Sequence, residues 1–400
     1  LMSNANPKGN QFKFLNDLDL DQDVVNRLTG YLRNVVHGND SILMTPIGHE
    51  IGPNSILRKW DEIYNKNKHR LNSVLDDYEM SERNKFGPRS ISKPWRNRQA
   101  DVLGYFKPKT IVVQGNIKDK IRSIKSDLRP IKISNAVKLL KNNTNSGLPF
   151  YVAKRKVKPN MVQDFDVLLK RQDPCILFTR TQEGNKTRTV WGYPIVDTLN
   201  EMMFYKPVLD FQSKIEWRSA LLGPEAVDEA ITKIVKLARS NNKLMVSADF
   251  STFDASVRGI LIIAAFSYIK NLFQPQYHRD LDYIMNRFMN IGLVTPSGVF
   301  RGSHGIPSGS TFTNEVDSIV QYLVALSSGV IDEINLQIQG DDGVYVLEGG
   351  DGSFDKLVDV FTKAGLTLNK DKSYLSNDYV IYLRNLYHID YEKDGLIGGI

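Results

Sequence analysis

The chain has 400 residues, of which 41% are hydrophobic and 24% are charged, a balance typical of a folded protein with two or three domains. Lys and Arg outnumber Asp and Glu by 52 to 45, and the formal charge of +7 favours a polyanionic partner. The single cysteine, Cys175, excludes an internal disulfide and a cysteine cluster for zinc, which fits a reducing compartment. The longest apolar run, near residues 259–269, is too short to cross a bilayer, so we expect no membrane span.

The first 140 residues are polar and carry short helical patterns, of which 23–36 and 56–64 are the clearest. Trp60 and Trp95 indicate that this region packs against the rest of the chain. The Asn, Gly and Pro content of residues 141–149 predicts a loop.

The remainder of the chain mixes strand and helix patterns. Strands are predicted at 187–190, 243–248, 334–338 and 344–346, and the last two form a β-hairpin signal. Helices are predicted at 225–239, 258–272, 278–289, 311–327 and 354–364. Two glycines and a proline predict a loop at 304–310.

Acidic residues stand at two of these strand ends. Gly-Asp-Asp at 340–342 lies at the predicted hairpin turn, and Asp249 ends the strand before it. Two adjacent like charges are unfavourable in a turn unless a cation neutralises them, and hard divalent cations prefer oxygen ligands. Asp249, Asp341 and Asp342 are therefore candidate catalytic ligands of Mg²⁺, with Mn²⁺ as a substitute ion. Each of them alone also fits an ordinary turn or cap.

The loop before the 311–327 helix has the composition of a nucleotide site. A Gly loop leading into a helix N-terminus can present N–H groups and hydroxyls to a ribose or phosphate. The candidate NTP-binding side chains in this part of the chain are Ser308, Gly309, Thr313, Asn314 and Asp317. The alternative is that the segment only caps a core helix.

Basic residues are concentrated between 154 and 188, where nine Lys or Arg stand against four Asp or Glu. Arg180, Lys186 and Arg188 are suited to a triphosphate, because Arg binds phosphate oxygens in pairs and Lys acts as a point charge. A solvated basic strand is the plainer alternative. Lys370 and Lys372 are candidate general acids for a departing pyrophosphate, although such lysines are also common on surfaces.

Taken in this order, the segments resemble the sequence motifs of viral RNA-dependent RNA polymerases. The resemblance covers roughly residues 140–390 and comprises motif G at 144–149, motif F at 186–188, motif A at 249–254, motif B at 308–317, motif C at 340–342, motif D at 365–372 and motif E at 382–384. It implies template contacts from motif G, namely from Thr144, Ser146, Gly147 and Pro149.

The resemblance implies an α+β right-hand polymerase with fingers, an antiparallel-sheet palm and a thumb largely absent from this chain. The implied division is an N-terminal region joining fingers towards thumb (1–140), mainly fingers with a palm segment near 191–206 (141–242), palm (243–388) and the start of a thumb (389–400). Leu1 and the apolar last residues suggest that the chain continues beyond both ends.

The pattern at 306–318 is most similar to polymerases of picobirnaviruses and partitiviruses, which have double-stranded RNA genomes. Asp317 stands where many positive-strand virus polymerases have Asn. The resemblance gives Asp254 the role of reading the ribose 2′-hydroxyl, and it leaves open whether Asp317 or Asn314 assists.

The implied activity is RNA-templated RNA synthesis by two-metal nucleotidyl transfer for viral genome transcription and replication. The implied partners are template RNA, nascent RNA and NTPs, with a viral capsid protein as a further candidate, in the virion interior and host cytoplasm. A reverse transcriptase is the first alternative, but Gln339 stands where those enzymes usually have an aromatic residue. A non-catalytic RNA-binding viral protein is the second, and it leaves the aspartates unexplained.

Overall fold

A computed structural model describes residues 11–39, 44–86, 92–182 and 186–400. The α-helices in these residues are α1 (Gln22–His37), α2 (Pro46–Ile51), α3 (Pro53–Asn67), α4 (Ser73–Glu82), α5 (Trp95–Gly104), α6 (Ile117–Arg122), α7 (Ile133–Leu139), α8 (Met161–Arg171), α9 (Ile195–Gln212), α10 (Pro224–Ser240), α11 (Phe253–Ser256), α12 (Gly259–Leu272), α13 (His278–Asn290), α14 (Thr313–Ser327) and α15 (Ser353–Lys363). Among them, none has the length and apolar composition needed to cross a bilayer.

The strands are mostly short and form two four-stranded sheets and three strand pairs. They are β1 (Cys175–Thr181), β2 (Thr187–Gly192), β3 (Met245–Ala248), β4 (Phe250–Ser251), β5 (Leu293–Thr295), β6 (Gly298–Phe300), β7 (Ile331–Gln339), β8 (Asp342–Leu347), β9 (Thr367–Leu368), β10 (Tyr374–Ser376), β11 (Tyr379–Tyr382), β12 (Asn385–His388), β13 (Glu392–Lys393) and β14 (Leu396–Ile397).

The sheet that carries the acidic residues is antiparallel, with strand order β10-β3-β8-β7. In the β7–β8 hairpin Gln339 pairs with Asp342, so Gly340 and Asp341 form its two-residue turn. On the other side of β8, Ala248 at the end of β3 pairs with Gly343. This register brings the residue after β3, which is Asp249, beside the hairpin turn.

Successive side chains along the strands of this sheet point to opposite faces, and both faces are covered by other elements. Val246 and Tyr345 contribute to the core with helices α12, α14 and α15. Met245, Val344 and Val346 point to the opposite face, where α10 and the β11–β12 hairpin pack. Because successive strand residues point to opposite faces, the one register serves both layers and the acidic turn.

The second sheet has the order β2-β1-β5-β6 and carries the basic residues. Strand β1 is antiparallel to β2 and parallel to β5. Helices α1 and α5 of the N-terminal region pack against it, with Trp95 and Val102 in the shared core. The Trp191 N–H at the end of β2 donates to the carbonyl of Ser308 (3.1 Å), which joins this sheet to the 304–310 loop.

The N-terminal region is packed, as Trp95 indicated, whereas Trp60 is 48% exposed and stacks only on Tyr64 of its own helix among the described contacts. Its helix α4 lies near the C-terminal strands, where the Tyr78 hydroxyl donates to the Arg384 carbonyl (3.0 Å). Just before α4, the Asn72 N–H donates to the Tyr391 hydroxyl (3.0 Å). The N-terminal region therefore contacts the C-terminal strands as well as the second sheet.

The predicted helices and the predicted hairpin are present, with ends shifted by a few residues. Helix α9 and strand β1 were not predicted. Helix α9 is buried on most sides and contains Pro207, so it lacks the one-sided apolar pattern by which helices are recognised. The 304–310 segment is a loop, as its glycines and proline predicted.

A fully buried ion pair joins α14 to the 3₁₀ turn Glu216–Leu221. Arg218 donates two hydrogen bonds of 2.8 Å to Glu315, and neither side chain is exposed. Removing one member would leave the other charge buried and unpaired, which costs more than the pair contributes.

We therefore expect Glu315→Ala to lower the free energy of unfolding by about 3–5 kcal/mol. The matched control is Asp359→Ala, which breaks an exposed pair with Lys363 on α15 and should cost at most about 1 kcal/mol. Urea unfolding of the three proteins provides the comparison. Equal losses in the two variants would contradict the argument.

Candidate active site

Helix α14 holds the acidic turn, residues 340–342, through two hydrogen bonds to Gly340. The Gly340 N–H donates to the Ser318 hydroxyl (2.8 Å), and the Gln321 amide donates to the Gly340 carbonyl (2.9 Å). Gly340 has φ +63°, which glycine adopts without steric cost. The turn is thereby fixed from the helix, with the side chain of Asp341 exposed and that of Asp342 half-buried.

Asp249 is fixed through its backbone. Its carbonyl accepts from the Asn369 N–H (2.8 Å) and its N–H donates to the Ser373 hydroxyl (3.2 Å). Its side chain is exposed. The segment that follows β9 thus sets the position of Asp249 without using its carboxylate.

The three carboxylates are close enough to affect one another's protonation. Burial is the main cause, and the charges of Asp341 and Asp249 add to it, in raising the pKa of Asp342 to about 6. Partial burial also raises the pKa of Asp249, against the opposing charge of Lys372. Crowded like charges of this kind are relieved by a bound cation, so the donor set fits a divalent ion.

The carboxylates do not form a ready-made metal cage. Within the described residues no three Asp, Glu, His or Cys side chains converge tightly enough to hold an ion as they stand. Ligation by Asp249, Asp341 and Asp342 would require these three side chains to turn towards a shared ion. The assignment of these ligands stays a prediction.

A second carboxylate pair lies beside this centre. The Ser308 hydroxyl donates to the Asp254 carboxylate, and the carboxyls of Asp254 and Asp317 are hydrogen-bonded to each other. Burial raises the pKa of both groups, that of Asp317 well above its ordinary value. The Oδ1 atom of Asp317 has no hydrogen-bond partner among the described residues.

The two candidates for ribose recognition point to different places. Asp317 is 5% exposed and faces Asp254. The Oδ1 atom of Asn314 lies 3.1 Å from where a Cβ on Gly340 would stand, so Asn314 faces the acidic turn. Thr313 donates to the Pro307 carbonyl (3.0 Å), and its hydroxyl is thus used within the loop.

The loop that immediately precedes α14 is held in place by contacts with α9 and β2. Glu201 of α9 accepts hydrogen bonds from the Ser310 hydroxyl (2.8 Å) and the Thr311 N–H (2.7 Å). A Cβ on Gly309 would stand 1.9 Å from the Trp191 carbonyl oxygen, so only glycine fits there. Glu201 was not among the predicted site residues, because the mixed apolar and polar stretch 195–204 carries no pattern that singles it out.

The basic residues of the β1–β2 hairpin face the carboxylates to different extents. Arg180 and Arg188 are directly opposite each other in register. The charge of Arg188 lowers the pKa of Asp254, and that of Lys186 lowers the pKa of Asp249, although in each case burial is the larger effect and raises it. Residues 183–185, which precede the predicted motif F, lie outside the described residues.

The two candidate general acids are distinguished by their neighbours. Lys370 is ion-paired with Asp355 of α15, with 2.9 Å between Nζ and Oδ1. Lys372 is the cation whose charge most strongly opposes the raised pKa of Asp249. Lys372 therefore faces the acidic centre and Lys370 faces a surface helix.

The predicted template loop divides into exposed and buried residues. Thr144 is exposed and Pro149 is half-buried after a cis peptide bond. Ser146 is fully buried and accepts from the Val152 N–H (3.1 Å). A Cβ on Gly147 would stand 2.3 Å from a backbone carbonyl oxygen. Ser146 and Gly147 thus shape the loop, and Thr144 presents its side chain to solvent.

The predicted motif E forms the β11–β12 hairpin. Leu383 and Arg384 occupy its turn with φ of 51° and 65°. The charge of Arg384 opposes the raised pKa of Asp342, so the hairpin lies beside the acidic turn.

A family model described as viral RNA-dependent RNA polymerase matches residues 112–391. This range covers well over half of the chain, so the chain belongs to the viral RNA-dependent RNA polymerase family.

Two curated relatives agree. The chain is 28% identical to a potential RNA-dependent RNA polymerase of human picobirnavirus (strain Human/Thailand/Hy005102/-), over 93% of this chain and 74% of the relative. It is 25% identical to an RNA-directed RNA polymerase of Cryptosporidium parvum virus 1, over 64% of this chain and 53% of that relative. The resemblance to picobirnavirus and partitivirus-like enzymes is therefore confirmed.

Solved structures support the same fold. The crystal structure of the RNA-dependent RNA polymerase of a human picobirnavirus matches with a TM-score of 0.80 and 26% identity, over 93% of this chain and 76% of that one. An insertion-loop deletion mutant of such a polymerase matches with a TM-score of 0.81 and 26% identity, over 94% and 79%. The protein therefore has the right-hand polymerase fold predicted from its motifs.

The buried carboxyl of Glu201, which accepts hydrogen bonds from Ser310 and Thr311, makes the stability of the protein depend on pH. Burial raises the pKa of Glu201 from 4.5 to about 8, so the folded state holds its proton more tightly than the unfolded state does. This contribution to stability is complete below pH 4.5 and is lost as the pH rises to about 8.

We expect the unfolding free energy of the wild type, relative to Glu201→Gln, to fall by roughly 1.4 kcal/mol per pH unit through that window. The Glu201→Gln side chain is neutral at every pH and can still accept the hydrogen bond from the Thr311 N–H. Urea unfolding at several pH values measures the difference. The control is Glu225→Gln on the exposed first turn of α10, which should leave the slope of the wild type unchanged.

Proposed function

We propose that the protein synthesises RNA on an RNA template by two-metal nucleotidyl transfer, for transcription and replication of a viral genome. The reacting 3′-hydroxyl of a primer or first nucleotide attacks the α-phosphate of an incoming NTP, and pyrophosphate leaves. The observation that carries the proposal is the convergence of Asp249 with the 340–342 turn, which the register of β3, β8 and β7 dictates.

The acidic centre would hold the ions. Asp249 and Asp341 are the proposed ligands, and Asp342 assists them and orients the site. Bound Mg²⁺ or Mn²⁺ supplies positive charge at the attacking and leaving oxygens of an in-line displacement. The raised pKa of Asp342 and that of Asp249 support this proposal, because both express like-charge crowding in addition to burial.

The remaining proposed NTP contacts come from three separate segments. Lys186, Arg188 and Arg180 neutralise the triphosphate from the β1–β2 hairpin. Asp254 and Ser308 receive the ribose. Asp317 is the proposed partner of Asp254 at the 2′-hydroxyl, because the two carboxyls are hydrogen-bonded while Asn314 faces the turn.

Lys372 is the proposed general acid. The leaving pyrophosphate gains negative charge, and a nearby ammonium group stabilises it and can protonate it. Proximity to Asp249 favours Lys372 over Lys370, whose ammonium is paired with Asp355.

The wider assignments also belong to this proposal. Residues 141–242 would be mainly fingers, 243–388 the palm and 389–400 the start of a thumb. Thr144 and Pro149 would contact the template strand, with Ser146 and Gly147 shaping their loop. A capsid protein is a proposed partner, and the virion interior and host cytoplasm are the proposed locations.

The metal assignment predicts that Asp341→Asn lowers incorporation of labelled NTP on an RNA template by roughly 1,000-fold. The variant keeps the shape of the turn but removes a charged ligand, and each 1.36 kcal/mol of lost transition-state stabilisation is about tenfold in rate. The control is Asp351→Asn in the exposed turn before α15, which should keep wild-type activity.

Single-stranded RNA, double-stranded RNA and dNTPs serve as further arms of this assay. Full activity in Asp341→Asn would contradict the metal assignment. Preference for dNTPs would indicate a reverse transcriptase, and salt-dependent RNA binding without turnover would indicate a binding protein.

The acid assignment predicts different results for two neighbouring lysines. Lys372→Ala should lower kcat by about 100-fold, because it removes the ammonium proposed to protonate the pyrophosphate. Lys370→Ala breaks only an exposed ion pair and should change kcat by less than about threefold. Single-turnover incorporation measures both, and similar losses in the two variants would contradict the assignment.

A further inference from the structure

A stripe of polar side chains on the buried helix α14 faces the acidic turn. Asn314, Ser318 and Gln321 are four and three residues apart, so they lie on one face of the helix. At that face the Ser318 hydroxyl accepts from the Gly340 N–H (2.8 Å), and the Gln321 amide donates to the Gly340 carbonyl (2.9 Å). The side chains of Ser318 and Gln321 are completely buried. Both backbone groups of Gly340 are therefore paired with α14.

Tyr345 of strand β8 fixes the orientation of the Gln321 amide. Its hydroxyl donates to Gln321 Oε1, and its side chain is completely buried. Because a backbone carbonyl can only accept, the amide nitrogen of Gln321 must face Gly340 and the amide oxygen must face the phenol. Within the described part of the chain, every buried polar atom of these two side chains has a partner. A buried network that is fully paired holds its members in one arrangement.

Gly343 provides the space for this network. It stands two residues before Tyr345 on β8, so both residues face the same side of the sheet. A Cβ on Gly343 would lie 2.7 Å from the Tyr345 hydroxyl and closer still to Gln321 Oε1. A glycine inside a strand often marks such a close approach, and here the missing side chain admits the Gln321 amide.

We propose that Gln321 and Tyr345 are positioning residues for the metal ligands, which hold the backbone of the acidic turn in the shape that lets Asp341 and Asp342 turn towards a shared ion. The inference rests on the proposed function. Neither residue lies in a motif assigned from the sequence. Because the carboxylates form no ready-made cage among the described residues, metal binding must order them. A turn that is already held rigidly leaves less freedom to be lost when the ion binds.

Tyr345→Phe tests the inference, because it keeps the ring and removes only the hydroxyl that orients Gln321. Amide hydrogen exchange without metal, RNA or nucleotide measures the turn itself. We expect residues 340–342 to exchange about three- to tenfold faster, the factor that corresponds to one hydrogen bond. The Kd for Mn²⁺ of the RNA-free protein, measured from the electron paramagnetic resonance signal of free Mn²⁺, should rise by about the same factor.

The matched control is Tyr268→Phe. Tyr268 is also buried and its hydroxyl also donates to a buried glutamine, Gln212 (3.4 Å), but between α12 and α9 rather than at the turn. The two variants should lose similar amounts in thermal midpoint, whereas Tyr268→Phe should keep the wild-type exchange of the turn and the wild-type Kd for Mn²⁺. If either readout is the same in both variants, the Tyr345 hydroxyl is only structural and the inference is overturned.

Gln321→Met tests whether the two residues act as a unit. Methionine keeps the length of the side chain and lacks the amide, so it frees the Gly340 carbonyl. If Tyr345 acts through Gln321, adding Tyr345→Phe to Gln321→Met should raise the Kd for Mn²⁺ by less than about twofold further. A further rise as large as that of Tyr345→Phe alone would overturn the inference.

Incorporation of labelled NTP separates this inference from the proposed function. A wild type that incorporates no NTP refutes the proposed function, and the exchange and Mn²⁺ comparisons, which need neither RNA nor NTP, still decide the inference. With an active wild type, Tyr345→Phe should raise the half-saturating Mg²⁺ concentration by about three- to tenfold and keep kcat at saturating Mg²⁺ within about twofold. A lower kcat with an unchanged Mg²⁺ requirement would overturn the inference.

Discussion

The register of three antiparallel strands is the constraint on which the site depends. Pairing of Ala248 with Gly343 and of Gln339 with Asp342 places Asp249 beside the two-residue turn that carries Asp341. A slip of one residue would turn every side chain of β8 to the opposite face and separate the carboxylates. The same register buries the strands between two helix layers, so the energy that fixes the core also fixes the acidic centre.

The acidic centre would be unstable in isolation, and the rest of the fold compensates for it. Lys186, Lys372 and Arg384 reach it from three different elements and oppose its raised pKa values. In each case burial is the largest effect, so the compensation is partial. The remaining crowding of negative charge is the feature that supports the proposed binding of divalent cations there.

Sequence patterns predicted the parts of the site that are local and missed those that are not. The hairpin, the 304–310 loop and α14 follow from turn residues and periodicity within short windows. Glu201 accepts from Ser310 about 100 residues away, and the Tyr105 carbonyl accepts from the Gly305 N–H about 200 residues away. No periodicity in the sequence reports such contacts. Burial of Ser146 is a further non-local result, because its carbonyl accepts from the Ile195 N–H at the start of α9 (2.8 Å).

The two halves of the site are therefore built differently. The carboxylates stand on a sheet covered on both faces, whereas the ribose pocket is assembled by hydrogen bonds among four chain segments. One of those segments, 104–107, comes from the N-terminal region and is held by the Arg258 side chain and the Gly305 N–H. The N-terminal region also reaches the acidic centre, since the charge of Lys85 lowers the pKa of Asp249. Because a hydrogen-bonded assembly loses function when any one segment moves, a shift of the N-terminal region would disturb the proposed ribose pocket and the acidic centre together.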